Sequence, residues 1–584
     1  MDYKNYNPRA AALAQARTLL TDAVKTAVAD GTLPEAALPD FIVEIPADVK
    51  NGDIASNVAM AGARAFHKAP RQIAEAITAK LQLDGSLFDR FEVAGPGFIN
   101  LFLGQDWFTS VVRAAVANPE YGRTDAGAGK KYNVEFVSAN PTGPMHMGNA
   151  RGGALGDGLA ACLDWAGYDV TREFYINDAG NQIEKFAKSL EARYLQIIKG
   201  EDAVEFPEDG YHGDDIRELA RAFYDREGEK YLDCDQKTRH DALARFGLDN
   251  NIPKMQRDLA RYGITYDQWF FESSLHESGY VADSVQALTD LGYTYEKDGA
   301  LWLHTSRILA ENLEKAGKSD ADIEKLGLKD DVLRRANGFY TYFAADIAYH
   351  RNKFAVRGFD KVINVWGADH HGHVARLKGA MDALGLDGEH RLDIVLMQLV
   401  KLVRDGEVVR MSKRTGKAIS LTDLLDEIPV DACRYFFNAK PETQMEFDLG
   451  LAVREDSENP VYYVQYAHAR ICTLLKALEA EGYTVPAAGE VDFSPLSGET
   501  EQALIKKIAS YRQVVRLAAR DYDPSHINRY LTELAGDFHR FYTACRIKGE
   551  ERPVLLARLK LADTARSVLK NAMTLIGCTA PEKM

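Results

Sequence analysis

Four residues near the start of a helical pattern could bind phosphate groups. In His146-Met147-Gly148-Asn149, two hydrogen-bonding side chains flank a glycine directly before that pattern. The N-terminus of a helix favours anions, because free N–H groups and the helix dipole point outwards there. A turn with a capping Asn and an incidental His would explain the same residues, so the segment alone leaves both interpretations open.

A second segment, much further along the chain, is short and strongly basic. It connects a predicted strand over 393–403 to a predicted helix over 421–427. Alone, it would be interpreted as a solvent-exposed basic turn. Its charged and neighbouring residues are Arg410, Met411, Ser412, Lys413 and Arg414.

A third group of side chains suits a guanidinium ligand. Tyr342 and Asp346 are four residues apart, so on a helix they share one face. A guanidinium is planar and offers five N–H donors, which a phenol oxygen and a carboxylate can accept. An exposed polar pair on a surface helix is the plain alternative. Glu135 lies in a predicted strand, and a buried carboxylate there would need a cationic partner.

The elements around these residues alternate between strand and helix. A β-branched and aromatic strand is predicted over 132–138, followed by a glycine-rich helix and a second strand over 170–176. This order predicts a parallel, nucleotide-binding sheet of Rossmann type. Interior glycines cost about 1 kcal/mol each against alanine, so something must approach this helix closely. The glycines are Gly152, Gly153, Gly156 and Gly158.

A loop after the apolar strand 362–366 contains an acid and three histidines. We considered a zinc site, but no cysteine is near and a histidine-rich turn cannot alone supply tetrahedral ligands. We therefore expect Asp369 and His370 to contact adenosine or an amino acid ligand, and we expect no structural metal.

The chain as a whole is predicted to be a multidomain α/β protein. Residues 1–115 form an N-terminal α/β module, in which we predict two helices divided at Ala69-Pro70 and a strand pair around a Gly-Pro-Gly turn. Residues 125–390 form the Rossmann-type domain with a helical insertion at about 183–265. We expect that insertion to lie between the two halves of the nucleotide fold. Residues 391–455 carry the basic segment, and 456–584 form an all-helical bundle. Three tyrosines of the bundle could pack in its core or face an RNA, and we expect the core for most of them: Tyr462, Tyr463 and Tyr466.

Composition limits the class of protein. The apolar stretches are too short to span a bilayer, and the first residues lack the apolar region of a secretory signal. Six scattered cysteines argue against a disulfide framework and fit the cytoplasm. The net charge is −15, yet residues 501–570 carry 14 Lys and Arg against 8 Asp and Glu. Such local basic charge is what tracking of nucleic-acid phosphates requires.

Taken together, the first two segments resemble the paired signatures of class I aminoacyl-tRNA synthetases. Asn149 stands where most of these enzymes have a second histidine, and Arg410 and Arg414 replace a lysine and a serine. The stretches EFVSANPTGPMHMGNARGG, EFYINDAGNQ, VWGADHHGH, RMSKRTG and ENPVYYVQYAHARI resemble bacterial arginyl-tRNA synthetases. The resemblance runs from the N-terminus to the last helices. The first signature covers Ala139, Asn140, Pro141, Thr142, Gly143, Pro144, Met145, His146, Met147, Gly148 and Asn149.

The resemblance implies an enzyme that joins L-arginine to tRNA-Arg with ATP and Mg²⁺, and without zinc. It implies a tRNA requirement for the first step, cytoplasmic location and no membrane, and we expect a monomer. The implied catalytic residues are His146, Asn149 and Lys413. The implied ATP contacts are His146, Gly148, Asn149, Asp369, His370, Arg410, Met411, Ser412, Lys413 and Arg414. The implied arginine contacts are Glu135, Asn140, Tyr342 and Asp346, with Glu272 as a weaker candidate. The N-terminal module would bind the tRNA elbow near the D-loop through Phe98 and Asn100, and the helical bundle would bind the anticodon.

Two other classes of protein compete with this interpretation. A cysteine-specific synthetase has a similar helical C-terminal domain, but it needs zinc-binding cysteines, and the cysteines here are too dispersed. A catalytically silent synthetase-like protein would only bind tRNA. Intact His146 and Lys413 argue against that alternative.

Overall fold

The structure is a computed structural model that describes residues 3–404, 406–409, 419–439 and 444–584. The predicted ATP contacts Arg410, Met411, Ser412, Lys413 and Arg414 lie outside the described residues and stay predictions. Among the described helices, none is long and apolar enough to cross a membrane.

The N-terminal module packs helices on an antiparallel sheet with the strand order β1-β2-β4-β3. The predicted helix break at Ala69-Pro70 is confirmed, because Pro70 begins a new helix. The predicted strand pair around a Gly-Pro-Gly turn is also confirmed. The elements are α1 (Pro8–Ala29), β1 (Val43–Glu44), β2 (Ile54–Ser56), α2 (Val58–Phe66), α3 (Pro70–Thr78), β3 (Phe88–Ala94), β4 (Phe98–Leu103) and α4 (Gln105–Ala117).

The central part of the chain is built around a parallel sheet with the strand order β12-β11-β5-β6-β7. Its elements are β5 (Lys131–Glu135), α5 (Gly148–Trp165), β6 (Asp169–Ile176), α6 (Gly180–Lys199), α7 (Asp214–Glu227), α8 (Gln236–Arg261), β7 (Gln268–Phe271), α9 (Ser273–Glu277), α10 (Tyr280–Asp290), β8 (Thr294–Lys297), β9 (Ala300–Leu303), α11 (Thr305–Lys315), α12 (Asp320–Glu324), β10 (Asp331–Arg334), α13 (Tyr342–Arg351), β11 (Lys361–Gly367), α14 (His371–Ala383), α15 (Gly388–Arg391) and β12 (Leu392–Met397).

Every neighbouring strand pair of this sheet is parallel, which confirms the predicted Rossmann-type fold. β5 lies in the middle, with β6 and β7 added on one side and β11 and β12 on the other. The strand order therefore reverses between β5 and β11. In open α/β sheets, ligands bind outside the carboxyl ends of the strands at this switch point.

Helices α6, α7 and α8 form the predicted insertion and share a hydrophobic core of their own. We expected these helices between the two halves of the nucleotide fold, and that expectation is wrong. They connect β6 to β7, and β7 joins the main sheet beside β6. Aromatic packing explains this position, because Trp269 of β7 stacks on Phe174 of β6 with ring centroids 4.5 Å apart. The segment between the halves instead contains the antiparallel sheet β10-β9-β8.

The predicted strand over 393–403 is two strands in different sheets. β12 ends at Met397, and β13 (Val400–Arg404) pairs with β14 (Glu407–Val409) and β15 (Met445–Asp448). The side chain of Arg151 explains the break. Its Nη1 donates to the carbonyl oxygen of Gln398 at 2.6 Å and to that of Leu399 at 3.3 Å. The carbonyl of Gln398 therefore faces a guanidinium of α5, and the carbonyl of Leu399 accepts hydrogen bonds from both this guanidinium and the N–H of Met445 in β15, at 3.3 Å.

The glycine-rich helix α5 is confirmed, and protein side chains explain its glycines. A Cβ on Gly156 would lie 2.2 Å from Cγ of Phe136, and one on Gly158 would lie 2.9 Å from Oδ1 of Asn438. The close approach that we expected is therefore made by the sheet and by a later helix. These contacts bring α5 close to the residues that follow β5.

The C-terminal part is helical, as predicted, and packs directly on the domain that contains the parallel sheet. Its preceding helices are α16 (Leu421–Glu427), α17 (Val430–Asn438) and α18 (Leu449–Ala452). The bundle consists of α19 (Pro460–Ala480), α20 (Glu499–Arg520), α21 (Ser525–Ala544) and α22 (Arg552–Leu575). Fully buried Arg434 of α17 pairs with Asp157 of α5 and donates to the carbonyl of Ile576 at 3.1 Å. This arginine ties the bundle's end to the nucleotide fold.

Candidate active site

A cavity of about 550 Å³ opens at the switch point of the parallel sheet. The carboxyl ends of several strands contribute to its wall, among them Glu135 of β5, Gly367 of β11 and Met397 of β12. It also holds most of the residues that we predicted for the amino acid and adenosine: Glu135, Asn140, Asn149, Glu272, Tyr342, Asp346, Asp369 and His370.

The first wall is the end of β5, which is shorter than predicted. The strand ends at Glu135, not at Ser138, because Val137 and Ser138 adopt positive φ angles of 69° and 42°. Such angles do not occur in a strand and are costly for a β-branched residue. The turn brings the hydroxyl of Ser138 back to Glu135, where Oγ donates to Oε1 at 3.0 Å.

Glu135 is 6% exposed and has the cationic partner that its burial demands. Nζ of Lys353 lies 2.6 Å from Oε2 of Glu135. Lys353 is completely buried and lies on a π-helical turn, Asn352–Val356, that continues α13. The sequence analysis did not identify this lysine.

Behind Glu135 lies a second buried carboxylate, that of Glu173 on β6. Lys353 approaches it to 3.8 Å, and both terminal nitrogens of Arg357 donate to it. Burial raises the pKa of Glu173, but the charges of Lys353 and Arg357 outweigh burial and lower the pKa below its ordinary value. The cluster of Glu135, Glu173, Lys353 and Arg357 thus balances two negative charges with two positive ones.

The predicted guanidinium face on α13 is present. Tyr342 and Asp346 both line the cavity, and Tyr342 is 46% exposed. Asp346 contacts two histidines: Nε2 of His373 lies 2.6 Å from Oδ2, and Nδ1 of His350 lies 3.0 Å from Oδ1. Burial raises the pKa of Asp346, but His350 and His373 outweigh it and hold the pKa well below its ordinary value. Asp346 is therefore a carboxylate at neutral pH.

His373 belongs to the histidine-rich loop that we had considered for metal binding. Arg376 Nη2 lies 3.1 Å from its Nδ1. A guanidinium can only donate, so Nδ1 accepts and the ring proton is on Nε2, facing Asp346. Among the described residues, no group of three or more His, Cys, Asp or Glu is arranged to hold a metal ion.

Glu272, our weaker candidate, is 3% exposed and lies at the boundary with a neighbouring cavity. The hydroxyl of Tyr175 donates to its Oε2 at 2.5 Å, and Nε2 of His276 lies 3.2 Å from its Oε1. Burial, followed by Glu272, raises the pKa of Tyr175 well above its ordinary value. The hydrogen bond to Glu272 is the main cause of the raised pKa of His276.

The remaining predicted contacts of the cavity are exposed polar side chains. Nδ2 of Asn140 lies 3.4 Å from Oε1 of Gln182, beside the first turn of α6. Asp369 and His370 lie in a short 3₁₀ turn after β11, with 3.6 Å between their charged atoms. These side chains have few protein contacts and face the cavity from the strand ends.

The segment His146–Asn149 begins α5, but its two polar side chains separate. Asn149 lines the main cavity, whereas His146 lines a neighbouring cavity of about 410 Å³. Oδ1 of Asn149 accepts the backbone N–H of His146 at 3.0 Å. The capping role that we had kept open for Asn149 is wrong, because Asn149 lies inside the first turn of α5, whose N-cap is Met147 without a side-chain cap hydrogen bond. The amide nitrogen is then the part of Asn149 left to donate to a ligand.

The described residues on either side of the basic segment lie against the first signature segment. The His146 backbone bridges to Ser420, N–H of Met147 donates to the carbonyl of Ile419 at 3.0 Å, and N–H of Leu421 donates to that of Met145 at 2.8 Å. His146 shares its cavity with Val409 and Ile419, which precede and follow the basic segment. The described residues that border the basic segment are therefore beside His146.

Three family models match the chain. They describe an arginyl tRNA synthetase N terminal domain over residues 14–103, a catalytic domain of tRNA synthetases class I (R) over 111–449, and a DALR anticodon binding domain over 464–584. The class I model alone covers more than half of the chain. The chain belongs to the arginyl-tRNA synthetase family.

Other members of the arginyl-tRNA synthetase family match it over nearly their full length. The arginine–tRNA ligase of Acetivibrio thermocellus is 50% identical over 572 residues, 98% of each chain. That of Ruminiclostridium cellulolyticum is 52% identical over the same length and share. A solved structure described as a putative arginyl tRNA synthetase from Campylobacter jejuni is 33% identical, with a TM-score of 0.72. It covers 82% of this chain and 100% of its own.

The predicted RNA contacts differ in exposure. Phe98 is 37% exposed, so it is not a core residue and its ring is available for stacking. Asn100 is 2% exposed, and within the described part of the chain its Oδ1 has no hydrogen-bond partner. In the bundle, the expectation that most of the three tyrosines are core residues is wrong. Tyr466 is 41% exposed and stacks on Tyr462, while Tyr462 and Tyr463 are half-buried.

Two residues of the site, His350 and Lys353, were not predicted from the sequence. Their spacing held the signal. His350 lies four residues after Asp346 and Lys353 three residues after that, so all three follow one helical face from Tyr342. A lysine on a face that also presents a carboxylate to a cavity indicates a buried ion pair.

Proposed function

We propose that the protein is an arginine–tRNA ligase that acts in two steps. The carboxylate of L-arginine attacks the α-phosphate of ATP, the bond to the β-phosphate breaks, and pyrophosphate leaves. A ribose hydroxyl of the terminal adenosine of tRNA-Arg then attacks the carbonyl carbon, and AMP leaves. The family implies the 2′-hydroxyl. Mg²⁺ enters with ATP as part of the substrate.

The observation that carries the proposal is an acidic cavity at the sheet's switch point, beside the place where Ser420, which follows the basic segment, bridges to His146 of the first signature. A cationic amino acid and a nucleotide would then be bound next to each other. The enzyme needs no nucleophile of its own, because the substrate carboxylate supplies it. It needs positioning, and positive charge where the phosphates gain negative charge.

For arginine, we propose that Asp346, Glu135 and Tyr342 accept the N–H groups of the guanidinium, with Glu272 nearby. Asn140 would hold the backbone groups of the amino acid. Leaving these acceptors unpaired with another amino acid is costly, and such mismatch discriminates by about 10⁴-fold or more. Lysine is the hardest competitor, and its ammonium cannot offer a planar fork of donors.

For ATP, we propose that His146 and the amide of Asn149 donate to the phosphates at the start of α5, where Gly148 permits close approach. Asp369 and His370 would contact the adenosine from the end of β11. The basic segment would clamp the leaving pyrophosphate, chiefly through Lys413. Arg410, Met411, Ser412 and Arg414 would complete that contact. The contact between the basic segment and the pyrophosphate should strengthen only in the transition state, since binding the substrate and the transition state equally well would not raise the rate.

For tRNA, we propose that residues 1–115 bind the elbow, with Phe98 stacking on a D-loop base and Asn100 contacting its edge. Residues 125–390 would be the catalytic domain, 391–455 the signature and stem-contact region, and 456–584 the anticodon-binding bundle. The ranges of the three family models support this division. We also propose that the enzyme acts as a monomer in the cytoplasm.

Aminoacylation of tRNA-Arg with a panel of labelled amino acids tests the proposal. We expect charging with arginine, and charging with lysine or citrulline to be about 10⁴-fold less efficient or weaker still. Equal charging with lysine would overturn the arginine assignment. Tight tRNA binding without any charging would leave the silent tRNA-binding protein.

A further inference from the structure

Lys353 contacts a second side chain, that of Asn364, in addition to its ion pair with Glu135. Its ammonium has three N–H donors and no acceptor. Nζ lies 2.6 Å from Oε2 of Glu135 and 3.5 Å from Oδ1 of Asn364, which is completely buried on β11. The side chain of Lys353 is itself completely buried, so water does not compete for these contacts.

The contact with Asn364 fixes the orientation of that amide. Oδ1 must face the ammonium, because the amide NH₂ would place donor against donor. The NH₂ group therefore faces His350, where Nδ2 lies 2.7 Å from Nε2. A ring nitrogen that receives an N–H has no proton of its own, so Nε2 of His350 is the acceptor.

The orientation of Asn364 in turn fixes the tautomer of His350. The ring proton of neutral His350 is on Nδ1, which lies 3.0 Å from Oδ1 of Asp346 and 2.9 Å from its backbone oxygen. His350 is 1% exposed, so it has no room to reorient. The direction of the N–H that Asp346 accepts is therefore set by Lys353, through Asn364 and His350.

We propose that Lys353 is the positioning residue for both carboxylates of the arginine site. It holds Glu135 directly and Asp346 through Asn364 and His350, so that both remain acceptors aimed at the cavity. The π-helical turn Asn352–Val356 brings the side chain of Lys353 to Glu135 and Asn364 of the sheet. Such turns occur often at functional sites. The inference rests on the proposed recognition of arginine by Glu135 and Asp346.

The test compares steady-state kinetics of Lys353→Met, Asn364→Leu and the wild-type enzyme. Lys353→Met should raise the KM for arginine about tenfold or more, because a buried acceptor loses its donor, and leave the KM for ATP within about twofold. Asn364→Leu should raise the KM for arginine less, about threefold, since only the contacts that link Lys353 to Asp346 are lost. Lys361→Met is the matched control. Lys361 pairs with Asp393 at 2.6 Å at the amino end of β11, away from the cavity.

A double-mutant cycle separates positioning from simple loss of stability. If Lys353 acts through Glu135, the combined effect of Glu135→Gln and Lys353→Met on the arginine KM is smaller than the product of the single effects. An arginine KM within twofold of wild type in Lys353→Met, an equal rise in the ATP KM, or independent effects in the cycle would each overturn the proposal.

Two outcomes need a separate readout. If Lys353→Met does not fold, Asn364→Leu decides, because it cuts the path without leaving a charge unpaired; an unchanged arginine KM then overturns the proposal. If the wild-type enzyme charges no tRNA with arginine, the proposed function fails. Calorimetric titration of arginine into wild type and variants then tests the positioning of the two carboxylates independently of activity, and equal affinities would overturn it.

Discussion

Among single residues, Asp346 is the carboxylate most directly prepared for a cation. Two histidines orient it, one of them held by Arg376 and the other by Asn364. Its pKa is held below the ordinary value, so it stays ionised without a ligand. A carboxylate that two histidines orient selects its ligand by charge and by geometry together.

Replacing Asp346 by Asn keeps the shape of the side chain and removes its charge. We expect kcat/KM for arginine to fall by about 30-fold or more, since a buried charge partner of the guanidinium is lost. The KM for ATP should stay within about twofold. Steady-state aminoacylation measures both, and Asp369→Asn, at a proposed adenosine contact, is the comparison in which the ATP KM should change instead.

Glu173 links the site to stability in acid. Its pKa is lowered in the folded protein, so near pH 4 the unfolded chain binds more protons, and the free energy of unfolding rises with pH. The contribution is complete above the unfolded value of about 4.3 and is lost as the pH falls below it. Urea titrations between pH 3.5 and 6 should show a steeper pH dependence for wild type than for Glu173→Gln. Parallel curves would mean that Glu173 is not responsible.

Residue types and spacing predicted much of this site. Tyr342, Asp346 and Glu135 came from the requirement that a guanidinium needs acceptors and that a buried carboxylate needs a cation. The partner of Glu135 was missed although Lys353 continues the spacing from Tyr342, because the π-helical turn that brings Lys353 to Glu135 is not evident from residue types. The separation of His146 from Asn149 was also hidden, because residue types and spacing do not show which cavity each side chain lines.

At the scale of elements, helix α5 is fitted to the sheet by its glycines. Gly156→Ala would place a Cβ 2.2 Å from Cγ of Phe136, and relieving that overlap should cost about 1–3 kcal/mol of unfolding free energy. Gly372→Ala in α14 meets nothing within 4 Å and should be neutral or stabilising by up to about 1 kcal/mol. Urea unfolding of the two variants measures the difference, and equal effects would contradict the packing account.

The existence and type of the elements were largely predictable, and their ends were not. Alternating strands and helices, the break at Ala69-Pro70 and the helix over 421–427 all followed from local patterns. β5 ends early because Val137 and Ser138 turn back, and β12 stops where the side chain of Arg151 binds the carbonyl of Gln398. Both ends are set by contacts with residues distant in sequence or by backbone strain, which hydrophobic periodicity does not report.

At the scale of the whole molecule, the C-terminal bundle and the nucleotide fold are joined through Arg434. Arg434→Met would leave Asp157 with Arg172 alone, and the carbonyl of Ile576 with only the longer hydrogen bond from Nδ2 of Asn438, at 3.4 Å. We expect a loss of about 3 kcal/mol in unfolding free energy, as for other broken buried ion pairs. Arg454→Met removes an exposed arginine that pairs with Asp456 and Glu458, and should cost less than about 1 kcal/mol. Similar losses in both variants would argue against Arg434 as the joint.

The position of the inserted helices shows what sequence alone lacks at this scale. Their helical character was evident from residues 183–265, but their place between β6 and β7 depends on which strand β7 pairs with. That pairing is decided by aromatic contacts across the sheet, such as the one between Trp269 and Phe174. Order along the chain does not determine order in a sheet.

The most direct test of the proposed function is arginine-dependent exchange between ATP and pyrophosphate, with and without tRNA-Arg, in wild type and Lys413→Ala. We predict exchange that requires arginine, proceeds when tRNA-Arg is present, and falls by about 10²-fold or more in the variant, because a cation at the leaving pyrophosphate acts mainly in the transition state. Folded protein that binds tRNA-Arg yet gives no exchange under either condition would contradict the account.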